Sequence, residues 1–154
     1  MDAVAALSVR RPWRGQGSVS FHQATFPGAP VHVSLNFRGL DPGRYILQIH
    51  YFGDIGDRCE RESGARWHLL EAFAVSPANN RGRYQKRKTE ASISLREESG
   101  ANVIGRAVSL LRLGPGRRKS IIACAVIGLA EEEVQLEFQR PQVFIRSPAF
   151  SPSF

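Results

Sequence analysis

The sequence predicts an all-β fold, a sandwich or barrel of antiparallel strands, and three observations carry that expectation. Apolar residues come in short runs separated by Gly and Pro, with 14 Gly and 9 Pro in 154 residues. No long stretch keeps a 3.6-residue period, whereas several keep a period of two, the mark of a half-buried strand. The chain has the size of one domain, and its 42% hydrophobic content is enough for a core.

Residues 3–9 (AVAALSV) form the first expected strand, closed by Arg10-Arg11-Pro12. Residues 17–23 (GSVSFHQ) alternate small or apolar with polar side chains as a second, with His22 on the polar side. After a Gly28-Ala29-Pro30 turn, residues 31–37 (VHVSLNF) put Val31, Val33, Leu35 and Phe37 on one face and turn His32 to water. Neither histidine has a second donor at metal-ligand spacing, so both read as surface residues. Leu40-Asp41-Pro42-Gly43 is a turn, with Pro where φ is fixed and Gly where it must be free, and residues 45–52 alternate as a fourth strand.

Residues 60–70 (ERESGARWHLL) read as a polar loop, and 71–80 (EAFAVSPANN) offer no His or Asp. The densest basic run, 81–88 (RGRYQKRK), reads as a solvated strand and hairpin, since a nucleic-acid reader would interleave more aromatics than the single Tyr84. Further strands are expected at 89–95 (TEASISL), from 102 through 110, and at 121–130 (IIACAVIGLA), a continuous apolar run of the kind a doubly covered strand needs. Residues 1–130 are expected to form the barrel. Residues 131–154 are expected to be a separate extension, one more strand and a frayed Pro- and Ser-rich end.

Lys and Arg outnumber Asp and Glu by 21 to 14, a balance that attracts anions or simply solvates the surface. The first residues are too short and too weakly apolar for a secretory signal, and nowhere do eighteen apolar residues run together. A soluble protein made in the cytosol, with no membrane partner, is expected. Two cysteines would then usually mean free thiols.

The most informative stretch is residues 39–59, GLDPGRYILQIHYFGDIGDRC. It resembles the Cu,Zn superoxide dismutases, in which a Gly-Leu-x-x-Gly turn leads into His-x-His-x-Phe-Gly-Asp and then a disulfide cysteine. Residues 102–106 (NVIGR) resemble the family's Ile-Ile-Gly-Arg strand, and 121–130 its Leu-Ala-Cys-Gly-Val-Ile-Gly-Ile-Ala strand. The resemblance implies a Greek-key barrel of about eight antiparallel strands and a disulfide between Cys59 and Cys124.

It also implies a site that has lost its metals. Of the copper ligands only His50 remains. Gln48 stands for the first histidine, Arg66 for the bridging one and Leu111 for the last. His68 falls two residues late for the bridging position. Ile121 replaces the arginine that docks the anion, in a late loop of about half the family's length, though Arg117, Arg118 and Lys119 lie nearby. With no zinc ligands in 71–80 beyond Glu71, no cofactor is expected and no dismutase catalysis, because copper cycling needs several imidazoles in fixed geometry.

The segments that pair subunits in the family are retained, mapping to Phe52 and Gly53, to Ile104 and Gly105, and to Gly128, Leu129 and Ala130. This pattern of losses is similar to that of the inactive superoxide dismutase-like proteins of poxviruses. What that similarity implies is a non-enzymatic protein of the virion and host cytoplasm, a decoy for the copper chaperone for superoxide dismutase or a homodimer. A metal enzyme with a rearranged site and a basic nucleic-acid-binding module are the competing readings.

Overall fold

The computed structural model describes residues 1–53, 55, 65–116 and 118–130. Among these there is no helix, and all ladders are antiparallel. The strands are β1 (Asp2–Ser8), β2 (Gln16–Gln23), β3 (Val31–Arg38), β4 (Gly43–His50), β5 (Arg66–Val75), β6 (Tyr84–Glu90), β7 (Ala107–Leu113), β8 (Lys119–Val126) and the two-residue β9 (Gly128–Leu129). They form a five-stranded sheet in the order β6-β3-β2-β1-β9 and a four-stranded sheet in the order β5-β4-β7-β8.

Period-two patterning explains the first three strands. Ala3, Ala5 and Leu7 of β1, Val19 and Phe21 of β2, and Val31, Val33, Leu35 and Phe37 of β3 are all buried between the sheets, where they meet Tyr45, Leu47, Ile49, Leu110 and Ile122 of the other sheet. His22 and His32 face outward, as expected; His22 Nδ1 lies 2.7 Å from Asp2 Oδ1 and His32 Nδ1 lies 3.3 Å from the Thr89 hydroxyl.

Four expectations change. The loop expected at 60–70 gives way from Arg66 onward to β5, which runs on through Val75. Its alternation is hidden because the ladder with β4 slips between Leu47 and Gln48, burying Leu70 and Glu71 in succession. The strand expected at 89–95 ends at Glu90; the chain then bends, and Ile93 and Leu95 plug the barrel end from an irregular segment that keeps one bridge, Ser94 with Asn102. That plug is held by the buried Gln23, whose amide accepts from Leu95 N at 2.7 Å and donates to the Ala29 carbonyl at 2.8 Å. Residues 102–106 form a turn, and β7 starts only at Ala107. Finally, 121–130 is not one doubly covered strand: β8 is an edge strand, half exposed, and the chain crosses at Ile127 to pair β9 with β1.

The two sheets are joined differently along their two sides. On one side the crossing from β8 to β9 is continuous, and Arg10 at the end of β1 bonds to β8 through its amide, 2.8 Å from the Ile122 carbonyl, and through its guanidinium to the Ile121 carbonyl. On the other side the edge strands β5 and β6 meet through charge. Glu71, 7% exposed, accepts a hydrogen bond from the Tyr84 hydroxyl and ion pairs from Lys86 at 3.0 Å and Lys88 at 3.3 Å. Lys88 also donates to the Leu70 carbonyl at 2.6 Å and pairs with Glu90 at 3.0 Å.

Burial alone would raise the pKa of Glu71, but the bonds from Tyr84, Lys86 and Lys88 outweigh it and hold the carboxyl below its ordinary range. Burial and the Glu71 carboxylate push the Tyr84 phenol up to about 12. Beneath this seam Tyr84 stacks on Phe73 at 4.1 Å, and Phe73 contacts Tyr45 at 5.4 Å and Phe37 at 5.8 Å, so an aromatic cluster spans both sheets.

Candidate functional site

The positions singled out for chemistry converge on the outer face of the four-stranded sheet. Gln48 faces Ser109 across the β4–β7 ladder, His50 faces Arg66 across β4–β5, and Leu111 faces Ile46 on β4 and Ile121 on β8. His50 is buried at 3% exposure and Ser109 is fully buried. His50 Nε2 lies 2.7 Å from the Ser109 hydroxyl and 3.4 Å from the Gln48 amide nitrogen. The histidine is thus engaged in a polar group of three side chains on neighbouring strands.

These residues do not fit copper. The donors gathered there are one imidazole, whose Nε2 already meets a hydroxyl, and one amide, whereas a copper site of this kind needs several imidazoles with free lone pairs. Leu111 and Ile121, which the resemblance sets at the last ligand and at the anion-docking arginine, lie opposite each other as an apolar cross-strand pair. Among the described residues no three His, Cys, Asp or Glu side chains cluster in a way that could hold a metal ion.

His68 does not join the group. It pairs with Ile49, whose side chain points to the opposite face from His50, and its Nε2 lies 3.4 Å from the Glu90 carboxylate at the β5–β6 seam. Glu71, the remaining candidate oxygen donor for zinc, is committed to Tyr84, Lys86 and Lys88 in that same seam. Ser109 and Gln23 are buried polar anchors that sequence reasoning missed, because nothing local distinguishes them from any strand serine or glutamine. Arg118 and Lys119 are exposed, and Arg117 lies outside the described residues.

A second region lies where β4 and β8 end and β7 begins. The Ala107 amide donates to the Phe52 carbonyl at 3.1 Å, and the Gly105 amide to the Ile127 carbonyl at 2.8 Å. Arg106 ties the corner together. Its guanidinium donates to the Tyr51 carbonyl at 2.8 Å and sits 4.1 Å above the Trp67 ring.

The expected pairing residues fall into two groups here. Phe52 and Leu129 are exposed at 63% and 58%, large apolar side chains facing water. Ile104, Gly128 and Ala130 are half-buried and Gly105 is exposed. Gly53 is different: a Cβ there would stand 1.8 Å from the Gly105 carbonyl oxygen, so this glycine is required by the backbone approach itself. Tyr51 and Val126, at 50% and 42% exposure, extend the apolar surface beyond the residues picked out from sequence.

Among the described residues there is no free cysteine. Cys124 lies opposite Ser109 in the β7–β8 ladder, and its expected partner Cys59 lies outside the described residues, as do the expected extra strand and frayed end within 131–154. No family model matches the chain.

Proposed function

We propose that this chain is a non-enzymatic member of the Cu,Zn superoxide dismutase fold family, most similar to the inactive poxviral dismutase-like proteins, and that it works by pairing with a partner. The observation that carries the reading is the contrast between an engaged, donor-poor group at His50 and the exposed apolar side chains of Tyr51, Phe52, Val126 and Leu129, of which Tyr51 and Phe52 have rings 6.4 Å apart and Val126 flanks Gly53. Single exposed apolar residues mean nothing, but large ones gathered at strand ends mark a binding surface.

The partner is a second copy of the chain or the dismutase-like domain of the copper chaperone for superoxide dismutase. Two-fold pairing uses one self-complementary patch, so a fold that keeps the patch and lacks the ligands occupies a subunit's place without offering a site to load. Such a protein belongs in the virion and the host cytoplasm. A Cys59–Cys124 disulfide is part of the same proposal and stabilises it by about 3 to 5 kcal/mol, because the loop it closes is long.

Purified protein tests the non-enzymatic half of this reading. The expected outcome is less than about one-tenth of a copper or zinc per chain and superoxide dismutation at background, since a lone imidazole holds neither metal firmly. One metal per chain, lost on His50→Ala, is the opposite outcome and restores the metal-enzyme reading.

A further inference from the structure

The outer face of the five-stranded sheet carries a feature that the pairing surface leaves unused. The ladders order its outward side chains as a grid. Gln16, Arg38 and, just before β6, Arg83 lie at one end; Ser18, Asn36 and Gln85 come next; then Ser20, Ser34 and Arg87; then His22, His32 and Thr89. A continuous shallow groove follows β3 and β6 across these rows, because each stretch of it shares lining residues with the next: Arg38 and Arg83, then Asn36 and Gln85, then Ser34 and Arg87. Rows are spaced by two residues of strand, so the groove runs roughly 20 Å.

One end of the groove is strongly basic for a structural reason. Gly82 packs so tightly on the β3–β4 turn that a Cβ would stand 2.2 Å from the Leu40 carbonyl oxygen, and at Gly15 one would stand 2.6 Å from the Leu40 side chain. The Gly39 and Leu40 amides bond to the carbonyls of Arg81 and Gly82 at 2.8 and 3.2 Å. These approaches bring Arg14, Arg38, Arg81 and Arg83 to the wall of one cleft. Arg38 is further steadied by Gln16, whose amide oxygen, turned towards it, accepts from Nε and Nη2 at 2.9 and 2.7 Å.

No carboxylate is among the residues that line the groove, and none pairs within 4.0 Å with the guanidinium groups of these arginines among the described residues, although at the basic end the Asp41 carboxylate accepts from the Arg14 main-chain amide at 3.2 Å. A merely solvated face intersperses both signs of charge, whereas guanidinium groups held together without paired carboxylates repel and are relieved by a bound anion. The floor between them is hydroxyl and amide: Ser18, Ser34, Asn36 and Gln85.

The ligand is narrowed by what the groove lacks. Tyr84, the one aromatic in the basic run, points inward, stacked on Phe73 and bonded to Glu71. A single-stranded nucleic acid would find phosphate contacts but no ring for its bases, losing the stacking that normally supports such binding. A sulfated chain of sugars asks for what is present: guanidinium forks for sulfates and small polar groups for hydroxyls.

We propose that the groove along β3 and β6, anchored at Arg14, Arg38, Arg81 and Arg83, binds a linear sulfated polysaccharide. The test uses a size-fractionated heparin oligosaccharide as probe, with affinity measured by titration calorimetry at several salt concentrations. Arg38→Gln with Arg83→Gln should weaken binding by at least about tenfold and flatten the salt dependence. The charge-matched pair Arg44→Gln with Arg118→Gln, exposed arginines away from the groove, should change it by less than about twofold. Melting curves on both pairs report that the fold is kept. Equal losses from the two pairs would overturn the site in favour of diffuse charge attraction, and a thymidine oligonucleotide of equal charge binding as tightly as the heparin fragment would overturn the choice of ligand.

Discussion

The outer side of β4 and β7 and the corner where β4 ends and β7 begins treat their side chains in opposite ways. Along the strands, at Gln48, His50, Ser109 and Leu111, polar side chains are turned on one another and apolar ones fill the remaining positions. A few residues on, at Tyr51, Phe52, Val126 and Leu129, apolar side chains are left facing water. In the first region burial and hydrogen bonding engage the polar groups with one another. Unburied apolar area, which stabilises only once something covers it, keeps the second open to a partner. The two regions can therefore be altered separately, because each is held by different residues.

The sharpest way to probe the corner is to disturb its backbone. Gly53→Ala sets a methyl against the Gly105 carbonyl, so that one of the two backbones must shift, and is expected to cost about 3 kcal/mol of stability in urea unfolding. A cost below about 1 kcal/mol would mean that the two loops are not packed as described. This also makes Gly53 unsuitable for testing the surface, since a substitution there harms folding and pairing together.

Elsewhere charge replaces covalent continuity, and the β5–β6 seam should respond to pH where the corner does not. Glu71→Ala takes from the Tyr84 hydroxyl its acceptor and from Lys86 and Lys88 a shared carboxylate, and is expected to cost about 2 kcal/mol, less than a fully buried pair because Lys86 reaches water and Lys88 keeps Glu90 and the Leu70 carbonyl. The pKa of Glu71 is lower folded than unfolded, so its contribution is full above the ordinary carboxylate value of about 4.3 and is lost as pH falls through the folded value. Wild type and variant should converge in stability below that window. A gap that persists undiminished at low pH would show that packing, not the ionised carboxylate, holds the seam.

The strands with one clean buried face, β1 to β3, were legible because period two is enforced by the core at every step. β5 was not, since the slip that buries Leu70 and Glu71 in succession breaks the pattern from which strands are read. The alternation of 89–95 misled for the opposite reason. Ile93 and Leu95 are buried as a strand's would be, but their place is fixed by Gln23, some seventy residues earlier in the chain. The candidate site was legible as a pattern of residues standing at named positions. What those residues do instead, His50 on Ser109 and Leu111 against Ile121, depends on cross-strand register that no local motif encodes.

We expect the exposed corner to pair with a dismutase-like fold and the engaged group at His50 to do nothing catalytic. Sedimentation of the chain alone, and mixed with the dismutase-like domain of the copper chaperone, tests it most directly when the wild type is compared with Phe52→Glu combined with Leu129→Arg. Both side chains are exposed, so the melting temperature should hold and stability should change by less than about 0.5 kcal/mol. The account predicts a two-chain species for the wild type, in one mixture or the other, and at least about tenfold weaker association for the variant. A folded variant that associates as strongly as the wild type, or a wild type that stays monomeric in both mixtures, would contradict it.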